Sequence, residues 1–211
     1  MKGLKFTIFT ILIMSFAVIT QAQTNFWLGT KASENLFFNV SARADFINQS
    51  KHCADVTTPL TDAEIDEIIR IHNAVRAEVG TASLKWNCDL AKFSQSWANA
   101  DTFEHSTQQQ REQIIKGGVA GENLAIDSGS TALMSALNKG WIDEKQFWDN
   151  NSNACATDKV CGHYTQMVWK TTNEIGCGII RNSKKLGEEF QSSYFVCTYY
   201  PGGNVGGEKP Y

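Results

Sequence analysis

The sequence CGHYTQMVW at residues 161–169 and the sequence YFVCTYYPGGNV at residues 194–205 decide the fold. In the first, a histidine follows a cysteine and a glycine and opens a short turn that is dense in aromatic and polar residues. In the second, Tyr194, Val196 and Thr198 fall at alternate positions, and glycines follow. This pattern predicts a β-strand that runs into a turn. Residues 175–179 alternate in the same way, and residues 182–189 would connect the two strands as a hairpin.

Composition and charge limit the class of protein. The chain has 211 residues, of which 42% are hydrophobic, and its net charge is −3. It is long enough for one domain with extensions and can bury a core. An acidic chain does not offer the basic surface that nucleic-acid binding requires, so we expect no nucleic-acid partner.

The N-terminal residues predict export from the cell. Residues 1–22 combine a lysine-containing flank, an apolar run and small residues at the cleavage site, as a signal peptide does. The apolar run is shorter than the ~20 residues of a membrane span, and no second run of that length follows. We therefore expect a secreted, extracellular protein with no transmembrane segment after cleavage. Residues 23–58 fit an N-terminal arm packed on the domain or a loosely ordered leader, and we prefer the arm.

Cysteine usage agrees with an oxidising compartment, because all the cysteines follow the signal peptide and none forms the Cys-x-x-Cys spacing of a zinc ribbon. Spacing alone does not choose among the possible disulfide connectivities. Asn48 and Asn150 lie in glycosylation acceptor triplets. The six cysteines are Cys53, Cys88, Cys155, Cys161, Cys177 and Cys197.

Two helices are predicted in the first half of the domain. Thr61 and Glu64 form a capping box, and an apolar helical face follows it. His72 lies on that face, where a histidine is more often a core residue than a ligand, so we interpret it as part of the core. Asn87 is a suitable N-cap for a second helix, which we expect to end near Phe103.

A third helix is predicted to begin near Ser130. Glu144 falls on its apolar face, so this carboxylate must be paired, protonated or bound to a ligand, unless it lies at the edge of the face and reaches solvent. Helices followed by a hairpin predict an α+β layered domain. The residues of this face follow one another at spacings of four, four, three and four, and they are Leu133, Leu137, Trp141, Glu144 and Trp148.

Several motifs together resemble the CAP superfamily, which comprises cysteine-rich secretory proteins, antigen 5 and plant pathogenesis-related protein 1. Residues 162–169 and 197–205 match its two signatures, except that Thr198 stands where the family usually has a larger polar residue. The sequences HNAVR, GENLA and WIDE also match. The resemblance covers residues 59–211 and is closest to short plant-type and microbial members. It implies a three-layer α-β-α sandwich with a small antiparallel sheet, stabilised by disulfides.

The resemblance also implies a cleft formed by His105, Glu122, Glu144 and His163. Two imidazoles and two carboxylates suit a divalent cation, with nitrogen favouring zinc and oxygen favouring magnesium. The alternative is a buried hydrogen-bonded network without a metal. A metal-dependent secreted hydrolase that uses this cleft is the competing function, but the chain has neither a Gly-x-Ser-x-Gly elbow nor a His-Glu-x-x-His helix.

Family members bind sterols and other lipids, and the resemblance implicates the segment after the third helix. Here Phe147 and Trp148 begin that segment, and aromatic rings suit a flat apolar ligand. Trp148 fits the core face, so Phe147 is the better ligand candidate. We expect a protein that acts by binding a sterol or other lipid, or an extracellular surface or protein partner. The family pairing implies the disulfide Cys177–Cys197, and we expect Cys155–Cys161 and Cys53–Cys88 for the others.

Overall fold

The computed structural model describes residues 52–114, 118–128, 132–187 and 191–211. The expected signal peptide, most of the N-terminal arm and Asn48 lie outside these ranges. Among the helices of the described ranges, none is long and apolar enough to cross a lipid bilayer.

The described residues form a four-stranded sheet, in the order β1-β5-β6-β2, and a separate two-stranded hairpin, β3-β4. The central strand β6 pairs antiparallel with β2 and with β5, as expected, and the two-residue strand β1 adds a parallel pairing at the other side of β5. The strands are β1 (Lys85–Trp86), β2 (Gly121–Ser128), β3 (Trp148–Asp149), β4 (Ala154–Cys155), β5 (Glu174–Ser183) and β6 (Ser192–Tyr200). The α-helices are α1 (Asp62–Glu78), α2 (Cys88–Asn99), α3 (Gln108–Glu112), α4 (Ala132–Ser135) and α5 (Gly162–Met167).

Helix α1 forms as its sequence predicts. The Thr61 side chain accepts the backbone N–H of Glu64, and the Glu64 carboxylate accepts the backbone N–H of Thr61, which completes the capping box. Gly80, just past the helix, has φ +77°, a conformation that glycine adopts without strain. His72 is fully buried in the core, as interpreted from the sequence. The buried face comprises Ile65, Ile68, Ile71, His72, Val75 and Arg76.

Helix α2 packs on one face of the sheet at very short range. A Cβ atom at Gly176 would lie 2.1 Å from the backbone nitrogen of Ala91, and one at Gly178 would lie 2.3 Å from the Cα of Gln95. These two strand positions therefore require glycine. Helix α1, helix α5 and the segment after α4 cover the opposite face around the larger apolar cluster. The fold is thus the expected α+β sandwich, with helices on both sides of a sheet.

Helix α2 ends at Asn99, earlier than the prediction near Phe103. Asp101 and Phe103 have φ values of +49° and +53°, which lie in the left-handed region and cannot continue a right-handed helix. The Asp101 carboxylate accepts a hydrogen bond from the Ser183 hydroxyl at 2.6 Å. The sheet thus holds the chain in a turn that the helical pattern does not reveal.

The predicted third helix is not one continuous α-helix. Helix α4 gives way to a π-helical segment (Ala136–Trp141) and then to a 3₁₀ segment (Ile142–Phe147), and Trp148 lies in β3. The change of helical type follows from contacts outside the segment. The indole N–H of Trp141 donates to the Leu124 carbonyl at 3.2 Å, so β2 sets the position of this side chain.

Three disulfides stabilise the domain, with the pairing expected from the sequence. Cys53–Cys88 ties the described end of the N-terminal arm to α2, Cys155–Cys161 joins the β3-β4 hairpin to the start of α5, and Cys177–Cys197 links paired residues of β5 and β6. The connection between these strands covers residues 184–191, two residues later than predicted.

Candidate functional site

His105 and Glu122 form the first of two histidine–glutamate pairs. His105 lies in the loop between α2 and α3, Glu122 lies on β2, and Nδ1 of the histidine is 2.8 Å from Oε1 of the glutamate. The Glu122 side chain is 1% exposed, whereas the His105 side chain is 60% exposed. A buried carboxylate therefore orients an imidazole that faces solvent.

Ser106 and Arg111 hold the Glu122 carboxylate in place. The backbone N–H of Ser106 donates to Oε1 at 2.9 Å and its hydroxyl donates to Oε2 at 2.7 Å. The Arg111 guanidinium lies 3.8 Å from Oε1 and donates to the Ser106 carbonyl, to the Ser106 hydroxyl and to the Ala120 carbonyl. Neither residue was identified from the sequence as part of the site, although Ser106 directly follows His105.

His163 and Glu144 form the second pair. Glu144 belongs to the 3₁₀ segment and His163 to the first turn of α5, and Nδ1 of His163 is 2.6 Å from Oε1 of Glu144. The other carboxylate oxygen accepts the backbone N–H groups of His163 and Tyr164 at 2.9 and 3.0 Å. Glu144 is 8% exposed and paired, so it does not reach freely into solvent at the edge of a helix. The Trp141 ring stacks on the His163 imidazole, with centroids 6.0 Å apart.

Asn123 connects the second pair to the core. It follows Glu122 on β2, and its amide donates to the His163 carbonyl at 3.0 Å and to the Tyr199 hydroxyl at 3.3 Å. That hydroxyl lies 2.9 Å from Nε2 of His72. Burial lowers the pKa of His72 to about 4 and raises the pKa of Tyr199, so both side chains are neutral near pH 7.

The two pairs leave a limited set of donors for a cation. Both carboxylates are occupied as hydrogen-bond acceptors, and each imidazole uses Nδ1, so the nitrogens that remain are Nε2 of His105 and Nε2 of His163. Within the described ranges, no group of three or more histidine, cysteine, aspartate or glutamate side chains is arranged to hold a metal ion. Each glutamate thus orients one imidazole through Nδ1.

The hydrogen bonds to Glu122 also determine whether the Ser106 hydroxyl can act as a nucleophile. A serine nucleophile must donate its proton to a histidine or an equivalent base. Ser106 is 3% exposed, and its hydroxyl donates to Glu122, not to His105. This serine supports the acid and is not arranged as a nucleophile.

The residues that the sequence suggested for lipid binding lie at the end of the 3₁₀ segment, for Phe147, and at the start of β3, for Trp148. Phe147 is half-buried, and the Lys159 ammonium lies 4.9 Å from the centre of its ring. Trp148 packs partly against the larger core cluster. Its indole N–H is buried without a hydrogen-bond partner in the described residues, as are the Oδ1 atoms of Asn150 and Asn153.

Comparisons with known proteins agree with this fold. Residues 69–199 match the family model described as CAP, the cysteine-rich secretory protein family. Pathogenesis-related protein 1B of Nicotiana tabacum is 34% identical over 178 residues, which cover 83% of this chain and 94% of that protein.

Solved structures show the same relationship. The structure of BmVAL-1 aligns with a TM-score of 0.61 and 28% identity, over 75% of this chain and 85% of that one. NaASP2, solved with Zn²⁺, aligns with a TM-score of 0.51 and 25% identity, over 69% of this chain and 83% of that one. The chain belongs to the CAP family of cysteine-rich secretory proteins.

Proposed function

We propose that this protein is secreted and acts by binding a sterol or another hydroxyl-bearing lipid at the β3-β4 hairpin. Family membership and the likeness to pathogenesis-related protein 1B support an extracellular binding role. Three disulfides are typical of exported proteins. An extracellular surface or protein partner is the other ligand class that this role allows.

The observation that carries the lipid proposal is the set of unpaired polar atoms in the hairpin. Buried polar groups in proteins are nearly always hydrogen-bonded, and an unpaired one costs about 1–3 kcal/mol. The Trp148 N–H is a donor, and the Oδ1 atoms of Asn150 and Asn153 are acceptors. A lipid hydroxyl both donates and accepts, so it would pair with either kind of atom once the hairpin opens to admit it, and the half-buried ring of Phe147 offers apolar area beside Trp148.

The test is a titration with cholesterol of the wild-type protein and of Trp148→Phe. This substitution keeps an aromatic ring and removes the N–H donor. We expect it to weaken sterol binding several-fold. Trp86→Phe is the matched control, because Trp86 on β1 also has a buried indole N–H without a partner. Equal affinity of all three proteins would rule out the hairpin as the sterol site, and failure of the wild type to bind would rule out a sterol ligand.

We further propose that the two histidine–glutamate pairs can hold a divalent cation through Nε2 of His105 and Nε2 of His163. Nitrogen donors favour zinc over magnesium. The buried carboxylates would orient the imidazoles, as carboxylates do behind histidine ligands of zinc. The similar protein NaASP2 has been solved with Zn²⁺, which supports this choice of metal. A bound cation would cross-link the loop that follows α2 to the first turn of α5.

A further inference from the structure

A pocket of about 370 Å³ lies along the free edge of the four-stranded sheet. Its walls come from β2, from the α4 and π-helical segment, and from the loop after α2. Apart from His163, which also contributes to the wall, it shares no residue with the two histidine–glutamate pairs or with the β3-β4 hairpin. Its volume is at the small end of the ~300–1,000 Å³ range of ligand pockets.

The inner wall of the pocket is apolar and rigid. Leu124, Ala136 and Trp141 are 8%, 5% and 1% exposed and belong to the buried core clusters. The Trp141 ring stacks on His163 and on Phe195, with ring centroids 6.0 and 5.3 Å apart. This wall is therefore preformed, which reduces the entropic cost of binding a ligand.

Phe103, in the loop after α2, also lines the pocket. It is 43% exposed and touches Tyr194 edge-on, with ring centroids 5.6 Å apart. Its φ of +53° is rare for a bulky residue and persists only where surrounding contacts impose it. The hydrogen bond from the Trp97 indole to the Glu104 carbonyl, at 2.8 Å, anchors the loop next to it. The fold thus holds an aromatic ring at the pocket in a strained conformation.

The pocket also has an unpaired positive charge. Lys139 lines it, is exposed, and makes no hydrogen bond or ion pair with the described residues. Asp127 lines it too, but one of its oxygens accepts the backbone N–H of Ser128 at 2.7 Å. No ion pair within 4 Å joins Asp127 to Lys139 in the described residues. An anionic group on a ligand would therefore pair with Lys139 and be repelled by Asp127.

We propose that this pocket binds a small aromatic carboxylate, with the aromatic ring beside Phe103 and the carboxylate paired with Lys139. The ring would bury apolar area against Leu124 and Ala136 and make an aromatic contact with Phe103. This site offers an aromatic ring and a cation, whereas the hairpin offers neutral polar groups, so the two sites would select different ligands. The proposal does not depend on sterol binding.

The probe is naphthalene-2-carboxylate, titrated into the full protein by isothermal calorimetry. Naphthalene-2-methanol keeps the rings and removes the charge, and decanoate keeps the charge and removes the rings. We expect the aromatic carboxylate to bind more tightly than both. Equal binding of decanoate would overturn the aromatic assignment, equal binding of the alcohol would overturn the charge assignment, and no binding of the carboxylate would overturn the site.

Gly140 allows the pocket to be blocked without disturbing the core. It lines the pocket, and a Cβ atom there would meet nothing within 4 Å. We expect Gly140→Leu to weaken binding of the carboxylate at least about tenfold, because the side chain takes the ligand's volume. Gly206→Leu is the control, since a Cβ at Gly206 also meets nothing within 4 Å. Unchanged binding by a folded Gly140→Leu protein would contradict the proposal.

Charge variants provide an independent test if the glycine variant fails to fold. We expect Lys139→Gln to weaken binding of the carboxylate roughly two- to fivefold, as an exposed ion pair would, and to leave binding of the alcohol unchanged. Lys92→Gln on α2 is the control, because Lys92 is exposed and lies outside the pocket. Asp127→Asn should strengthen binding of the carboxylate. No effect of Lys139→Gln, or weaker binding by Asp127→Asn, would contradict the proposed pairing.

Discussion

Oε1 of Glu144 lies 2.6 Å from Nδ1 of His163, and Oε2 of Glu144 accepts the backbone N–H groups at the start of α5. One carboxylate therefore both orients the imidazole and satisfies two backbone donors that the helix leaves unpaired. The orientation of the His163 imidazole is therefore set by a residue of the 3₁₀ segment, and this pair joins that segment to α5.

Glu144→Gln should destabilise the domain by about 1–3 kcal/mol, because the amide cannot accept all three hydrogen bonds and leaves a buried group unpaired. The measurement is the free energy of unfolding from urea denaturation. Asp143→Asn is the control, since Asp143 is exposed and adjacent. If both variants unfold at the same urea concentration as the wild type, Glu144 does not anchor α5.

Zinc should raise the melting temperature of the wild-type protein and have a smaller effect on His105→Ala and His163→Ala. Each variant removes one of the two available Nε2 atoms. His52→Ala is the control for weak binding at another histidine, because His52 pairs with Asp66 and belongs to neither histidine–glutamate pair. Equal melting shifts in all four proteins would contradict cation binding by the two histidines.

The stability of the protein should fall as the pH decreases from about 6.5 to 4, in part through His72. The unfolded chain protonates this imidazole near its ordinary pKa of about 6.5, whereas burial lowers the pKa in the folded protein to about 4. The unfolded state therefore binds more protons in this range, which destabilises the fold by roughly 3 kcal/mol.

His72→Gln removes this titration, so the variant should lose less stability over the same pH range. Other titrating groups are common to both proteins and cancel in the comparison. Urea denaturation at pH 7, 5.5 and 4 measures the difference. Parallel stability curves for the two proteins would show that His72 does not titrate with a lowered pKa.

Arg76→Lys should destabilise the domain by about 3 kcal/mol, although the charge is retained. The buried guanidinium donates to the carbonyls of Met167, Trp169 and Thr172 and to that of Ala82, at 2.5–3.0 Å. An ammonium group donates from a single point and leaves some of these carbonyls unpaired.

Arg70→Lys on the same helix is the control for the loss of a guanidinium. Arg70 is exposed and pairs with Glu67, so we expect its substitution to leave the unfolding transition nearly unchanged. A similar loss of stability in both variants would show that the hydrogen bonds from Arg76 to the carbonyls do not account for the destabilisation by Arg76→Lys.

Capping residues and glycines predicted correctly those helix ends that depend only on residues nearby in the sequence. Helix α1 begins at its capping box and ends before Gly80, as its sequence indicates. The third helix differs because Trp141 and Glu144 are positioned by partners on β2 and α5, which periodicity does not include. The early end of α2 has the same cause, since Asp101 is held by Ser183.

The candidate site could be predicted in part. His105, Glu122 and His163 came from the family resemblance, whereas Glu144 was also indicated by its position on an apolar helical face. The spacing of these four residues along the chain does not indicate which of them pair. The structure adds which histidine pairs with which glutamate. The supporting residues Ser106, Arg111 and Asn123 were missed because their roles depend on the fold. Only their proximity in sequence to His105 and Glu122 could have suggested them.

The most direct test of lipid binding is to identify what the secreted protein carries. The wild-type protein and Trp148→Phe would be purified from the medium of a eukaryotic host, and bound lipids would be extracted and quantified by mass spectrometry. We predict that the wild type carries a sterol or another hydroxyl-bearing lipid in near-stoichiometric amount and that the variant carries much less. A wild-type protein that is free of lipid and does not take up added sterol would contradict the account.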